Sequence, residues 1–253
     1  MWATEPLPLS GFDCLIEPHA VIEVSTREEG ILSARLVERG ELVKADQTLA
    51  QLESEMEKVA VALARARSNM RPVIEEREAS KAFAERQSAR VAELYRKRAI
   101  PFDEKDRADT EVVRAAMQLR QAHNDFLVAE LELRRAQTAL DQRTIRSPVN
   151  GVVAEWLLSA GESVEDRPIV RVAEIDPLNV EIIVPVERYG EIEPGMKAQV
   201  TPLVPGASTR VATVEVVDRV VDAASGTFGV RLELSNADHR LPGGLRCEIS
   251  FVP

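Results

Sequence analysis

The chain has 253 residues, a formal charge of −10, 4% aromatic residues and 29% charged residues. This length can bury a core, but scarce aromatics beside abundant Ala, Glu, Arg, Leu and Val point to long helix plus β-rich modules rather than one globule. The acidic balance disfavours a nucleic-acid partner, which needs a basic face, and no apolar run approaches the ~20 residues that cross a bilayer.

Residues 1–20, MWATEPLPLSGFDCLIEPHA, lack the charged and continuous apolar regions of a signal peptide. Either the chain is cytosolic or an export signal precedes these residues. Gly11-Phe12-Asp13 before Cys14 lack the small pair of a lipoprotein cleavage site, so no lipid is expected there. Cys14 and Cys247 are too few for a disulfide framework or a zinc site. His19, His123 and His239 are isolated, and Met1, Met56, Met70, Met117 and Met196 are scattered, so no metal site is expected. With no glycine-rich phosphate loop and no nucleophile elbow, neither catalysis nor a cofactor is expected.

A repeat comes next. EEGILSARLVERGELVKADQTLAQLE, from Glu28 to Glu53, returns as SPVNGVVAEWLLSAGESVEDRPIVRVAE, from Ser147 to Glu174. Gly30 and Gly40 correspond to Gly151 and Gly161, Val43 to Val164, and the β-rich finish Leu49–Leu52 to Ile169–Val172. Two β half-motifs far apart in sequence are predicted to complete one small sandwich, since neither can bury its apolar face alone.

Between them, from Glu53 to Arg143, glycine disappears and proline occurs only at Pro72 and Pro101. After Pro101, alternating steps of four and three pick out Ala108, Val112, Ala115, Leu119, Ala122, Phe126, Ala129, Leu133, Ala136 and Leu140. This narrow heptad seam fits a partner helix better than a sheet. Upstream the same frame gives Met56, Val59, Leu63, Ala66, Met70, Val73, Arg77, Ser80, Ala84, Gln87, Val91 and Leu94, a less regular strand of the pair. Ile100-Pro101 ends one helix and admits the next, and the short turn makes them antiparallel. Pro72 is expected to kink the first helix about midway.

After Glu174 the pattern becomes β again, at 178–184, 196–202, 210–217, 228–234 and 245–251, with glycine or proline in the gaps. A small antiparallel barrel is expected, with Phe12–Glu17 as a candidate strand to complete it. The fold class is therefore mainly β with an inserted α-helical hairpin. The expected modules are a split lipoyl-like sandwich at 21–53 and 144–173, a coiled-coil hairpin at 54–143, and a β-barrel at 174–253 to which 12–20 contribute a strand.

That order of modules, with the join TIRSPVNGVV (144–153) and the barrel text GTFGVRLELSN followed by LPGGL, resembles the periplasmic adaptors of tripartite efflux pumps, the membrane fusion proteins of HlyD type. The resemblance covers nearly the whole chain and points most closely to adaptors of resistance-nodulation-division (RND) exporters. It implies the periplasm, in association with the inner membrane. It also implies three partners: an inner-membrane transporter, an outer-membrane TolC-type duct, and further copies of the chain in a ring. In RND adaptors the hairpin tip docks the duct through an Arg, a Leu, a Ser and an Asp, whose spacing falls here on Arg90, Leu94, Pro101 and Asp106; Ile100 lies beside them in the turn. The serine position is proline, and a solvated helix face is the bland reading of Arg90 and Asp106.

The resemblance also sets the N-terminal strand beside the last barrel strand, which would bring Cys14 and Cys247 within disulfide reach. The alternative, two unpaired buried cysteines acting as small apolar residues, is slightly favoured, because sequence fixes neither strand order nor register. Two rival functions are a lipoyl or biotinyl carrier domain modified at Lys58, disfavoured because helix replaces the exposed turn such a carrier needs, and a cytosolic coiled-coil scaffold.

Overall fold

Burial alternates without a slip along Phe12–Val24, with even-numbered residues inward and odd-numbered ones outward, the period of a half-buried strand, and only Leu15 and Val21 put apolar side chains on the outer face. In the computed structural model, which describes residues 10–252, this segment belongs to strand β1 (Ser10–Val24). Residues 1–9, nearly half of the stretch read for a signal peptide, lie outside the described residues. Two compact units make up the chain: Glu53–Thr144, and a β unit formed by the segments on either side.

In the β unit, β2 (Gly30–Arg35), β3 (Leu42–Val43), β4 (Thr48–Leu52), β5 (Thr144–Arg146), β6 (Gly151–Trp156) and β7 (Ser163–Val164) precede the long strand β8 (Val170–Pro185). The strands β9 (Lys197–Pro202), β10 (Arg210–Val217), β11 (Thr227–Leu234) and β12 (Leu245–Phe251) follow. The ladder runs β1-β12-β9-β10-β11-β8, and β8 pairs back onto β1, which closes a six-stranded antiparallel barrel. Its core holds Ile16, Leu178, Val180, Ile182, Leu232, Leu234 and Ile249, all essentially without solvent contact. The inner ends of β1 and β8 continue past the barrel, with β6 and β3, as one face of the sandwich; β5-β4-β2-β7 form the other. Leu32, Leu49, Leu52, Val153, Ile169 and Val172 fill the space between.

The two β modules are thus joined by continuous strands and not by a linker. The sequence suggests a strand end near Val172 and a fresh start at 178, whereas β8 runs unbroken through Pro177. The ladder shifts register between Pro18 and Ala20, opposite this stretch, and a bulge is where a residue without an N–H sits in a sheet at little cost.

The repeat is explained by reciprocal pairing. Gly30 of β2 faces Val164 of β7, and at the corresponding places Gly151 of β6 faces Val43 of β3. The hydrogen bonds repeat in the same way: Leu32 N–H donates to Glu162 C=O as Val153 N–H does to Glu41 C=O, and Gly161 N–H donates to Leu32 C=O as Gly40 N–H does to Val153 C=O. Each half lends its short strand to the long strand of the other. Gly40 and Gly161 both have φ near +90°, at 86° and 90°, which explains glycine at the second position of each half. Gly151 is required for space: a Cβ there would lie 2.3 Å from the Ala173 carbonyl oxygen.

The two cysteines are a correction to the reading slightly favoured from sequence. β1 and β12 pair antiparallel with Cys14 directly opposite Cys247, and the two form a disulfide with a Cα separation of 4.8 Å. Strand order was the missing information: both side chains point into the barrel, at positions that only the ring closure makes neighbours.

The other unit contains α1 (Glu55–Ser68), α2 (Arg71–Arg96) and α3 (Phe102–Asp141). Every residue of the expected α3 seam is buried or half-buried: Ala115, Ala122 and Ala129 fully, and Leu119, Phe126 and Leu133 partly. The upstream frame needs correcting. Met56 is 80% and Val59 63% exposed, and the inward residues of α1 are Glu57, Val61, Ala64 and Ser68. In α2 the seam is Ile74, Arg77, Lys81, Ala84, Ser88 and Val91, which shares only Arg77, Ala84 and Val91 with the expected frame. The helix is also broken rather than kinked: Asn69 and Met70 leave the helical path, and Pro72 falls in the first turn of α2, where its missing N–H has no intrahelical role.

Candidate partner-binding site at the hairpin tip

The tip is made by how α2 stops and α3 starts. Arg98 takes the left-handed conformation, with φ of 57°. The Ala99 N–H then donates to the Leu94 carbonyl and the Arg98 N–H to the Tyr95 carbonyl, the paired bonds of a Schellman C-cap. Pro101 is the N-cap of α3 in extended geometry, and Asp103 and Glu104 occupy its first turn. Basic residues at the end of α2 and acidic ones at the start of α3 each complement the partial charge of their helix end.

Of the five residues singled out from sequence, Arg90 and Leu94 lie one turn apart on α2, and both are exposed. The Arg90 guanidinium donates to Gln87 Oε1 at 2.7 Å. Ile100 is half-buried in the turn, Pro101 is exposed as the N-cap, and Asp106 is exposed in the second turn of α3. They share one end of the hairpin without their side chains bonding to one another: among the described residues, no side-chain hydrogen bond or ion pair links any two of these five.

Sequence reasoning missed the aromatic pair beside them. Tyr95 and Phe102 meet edge to face across the turn with centroids 6.1 Å apart, and Phe102 remains 59% exposed. In an otherwise aromatic-poor hairpin, two rings flanking Pro101 were a visible signal. Also missed was the polar link that holds the helix ends together. Asp109 accepts the Ser88 hydroxyl across the helices at 2.7 Å and pairs with Lys105 one turn away at 2.5 Å. The Lys105 hydrogen bond, followed by that of Ser88, holds the Asp109 carboxyl below its usual range, and Asp109 in turn raises the Lys105 ammonium.

The other candidate positions do not form a site of this kind. His19 bonds to Asn179 beside the β1 bulge, His239 lies in a loop with φ of 50°, and His123 is on the outer face of α3. Among the described residues, no group of three or more His, Cys, Asp or Glu side chains is placed to hold a metal.

The stretches that carried the family resemblance are structural hubs. In the join, Ser147 exchanges backbone bonds with Asp46 and Gln47, and Asn150 Oδ1 accepts the Ala45 N–H, so SPVNG stitches the second half onto the first. In the barrel text, the buried Asn236 amide donates to the carbonyls of Ile175 and Leu241 and accepts the Leu241 N–H, while the Gly244 N–H donates to the Ile16 carbonyl.

The model of the CzcB-like barrel-sandwich hybrid domain matches residues 20–174, the reciprocally paired halves together with the helices between them. The chain belongs to this family, that of the periplasmic adaptors or membrane fusion proteins. The multidrug resistance protein MdtA of Escherichia fergusonii is 26% identical over 246 residues, which are 93% of this chain and 56% of that protein. MdtA of Escherichia coli strain 55989 is 25% identical over the same shares. The chain therefore spans about half the length of the curated relatives it matches. Among solved structures, MacA from Actinobacillus actinomycetemcomitans superposes with a TM-score of 0.78 at 20% identity, over 97% of this chain and 78% of that one. The membrane fusion protein Spr0693 of Streptococcus pneumoniae R6 does so with 0.64 at 15% identity, over 95% and 97%. These two likenesses concern the barrel-sandwich hybrid fold.

Proposed function

We propose that the chain is a non-catalytic adaptor in the periplasm, associated with the inner membrane, that links an inner-membrane transporter to an outer-membrane TolC-type duct in a pump for small molecules. Further copies pack beside it in a ring, and the transporter is of the RND class. The observation that carries the reading is the hairpin tip. Leu94, Tyr95, Pro101 and Phe102 present exposed apolar surface at the end of a helical pair, between a basic helix end and an acidic helix start. Apolar surface rimmed by polar groups marks a protein-binding surface. Arg90, Leu94, Ile100, Pro101 and Asp106 make the outward contact in this reading, with Tyr95 and Phe102 beside them. The relative named for multidrug resistance supports small-molecule export.

The carrier reading loses ground at Lys58. It lies within α1, ion-paired to Glu55 at 2.6 Å, and not on an exposed β-turn where an arm could swing.

The test is Leu94→Glu in an efflux-complementation assay, with the purified variant checked for an unchanged melting temperature. A charge placed in an interface that must be dry should abolish efflux while leaving the fold intact. Full efflux by a folded variant would remove the tip from the mechanism.

A further inference from the structure

The barrel is closed by the first and last strands of the chain. Ser10 pairs with Ser250, so the chain enters and leaves the barrel at the same point, on two adjacent antiparallel strands. Tension between the two chain ends therefore loads the β1–β12 ladder in the unzipping direction, one pair of residues at a time. Phe12 and Asp13 of β1 are paired only with β12, whereas from Cys14 onward β1 also pairs with β8. Peeling that passed Cys14 would start to open the ring and expose the core around Ile16, which pairs with Leu245 beyond the disulfide. The Cys14–Cys247 bond sits at that position, with both residues buried in the closed barrel.

We propose that the Cys14–Cys247 disulfide is a mechanical clasp that carries tension between the chain ends past the barrel. Force entering at β1 crosses directly to β12 through the sulfur–sulfur bond, and the 233-residue loop closed by the bond is shielded from it. The inference stands on strand topology and does not rest on the adaptor reading, so either can fail without the other. The clasp forms when the two thiols give up two protons and two electrons to a disulfide oxidant, the chemistry of an oxidising compartment. A dithiol reverses it, leaving two protein thiols and an oxidised cyclic disulfide.

Single-molecule pulling on the full chain, with handles at its two ends, tests the proposal. In the oxidised protein only the few residues outside the clasp should extend. After dithiothreitol, unfolding should release the remaining length, roughly 800 Å for 233 residues. The Cys14→Ser, Cys247→Ser double variant should release it without reductant. Alkylation and intact-mass measurement of the same oxidised sample should find no free thiol. Release of the full length by the oxidised chain, or two free thiols in it, would overturn the clasp.

Discussion

Asp109 joins two helices with one carboxylate, and its titration has a definite sign. Its pKa is lowered, so the link contributes fully above the ordinary carboxylate value of 3.8 and is lost as pH falls through the depressed folded value. Lys105 is raised, so its share is complete below 10.5 and is lost as pH rises through the elevated folded value. The stability difference between the parent and Asp109→Asn should therefore be flat between about pH 5 and pH 9 and shrink only outside that range. Urea unfolding across pH checks this, and a slope inside the window would assign the link to some other group. At this scale the sequence was legible where an i, i+4 pair such as Lys105 and Asp109 could be counted on one helix. It was silent about Ser88, because a bond across two helices depends on which turns face each other. Arg98 is a similar case: nothing in RKRAIP marks the arginine that takes the left-handed position usually held by glycine.

The helices show why one frame could be read and another could not. α3 runs 40 residues without interruption, about 60 Å, so a single phase holds from Ala108 to Leu140. The first limb is two helices. The irregular residues Asn69 and Met70 shift the seam by one position, from the series 57, 61, 64 and 68 to one that resumes at 74. A frame carried unbroken across that point puts Met56, Val59 and Leu63 inside, where the structure leaves them exposed. In the α3 seam, burial is deepest at the alanines, so close helix approach and not large-residue packing holds this pair together. Two substitutions separate these effects. Leu133→Ala removes a half-buried side chain and should cost roughly 1–2 kcal/mol, less than a fully buried leucine would. Ala122→Leu forces extra volume into a closed contact and should cost about 1–3 kcal/mol despite the gain in hydrophobicity. Denaturant midpoints followed by helical circular dichroism give both numbers. An Ala122→Leu protein more stable than its parent would mean that the helices are not closely packed there.

For the whole chain, the question is what each unit needs from the other. The β unit closes its barrel with its own first and last strands and closes its sandwich by exchanging short strands between two halves. The joining of the two sandwich halves was legible as a repeat of glycines and valines at matching positions. What was not legible was the continuity of β1 and β8 through both modules, because Pro18 and Pro177 read as strand ends until the bulge is seen. The chain leaves this unit after β4 and returns in β5, and those two strands are neighbours in the same sheet. Replacing Glu53–Arg143 with a short Asn-Gly turn should therefore leave β4 and β5 adjacent, restoring the connection that the helices occupy. The shortened protein should be soluble, free of helical circular dichroism signal, and melt in one cooperative step. It should also keep its disulfide, since Cys14 and Cys247 lie opposite each other on two paired strands of the β unit. A shortened chain that is unfolded, or that shows two free thiols after oxidation, would mean that the sandwich halves need the helices to find each other, and that the reciprocal pairing alone does not suffice to fold them.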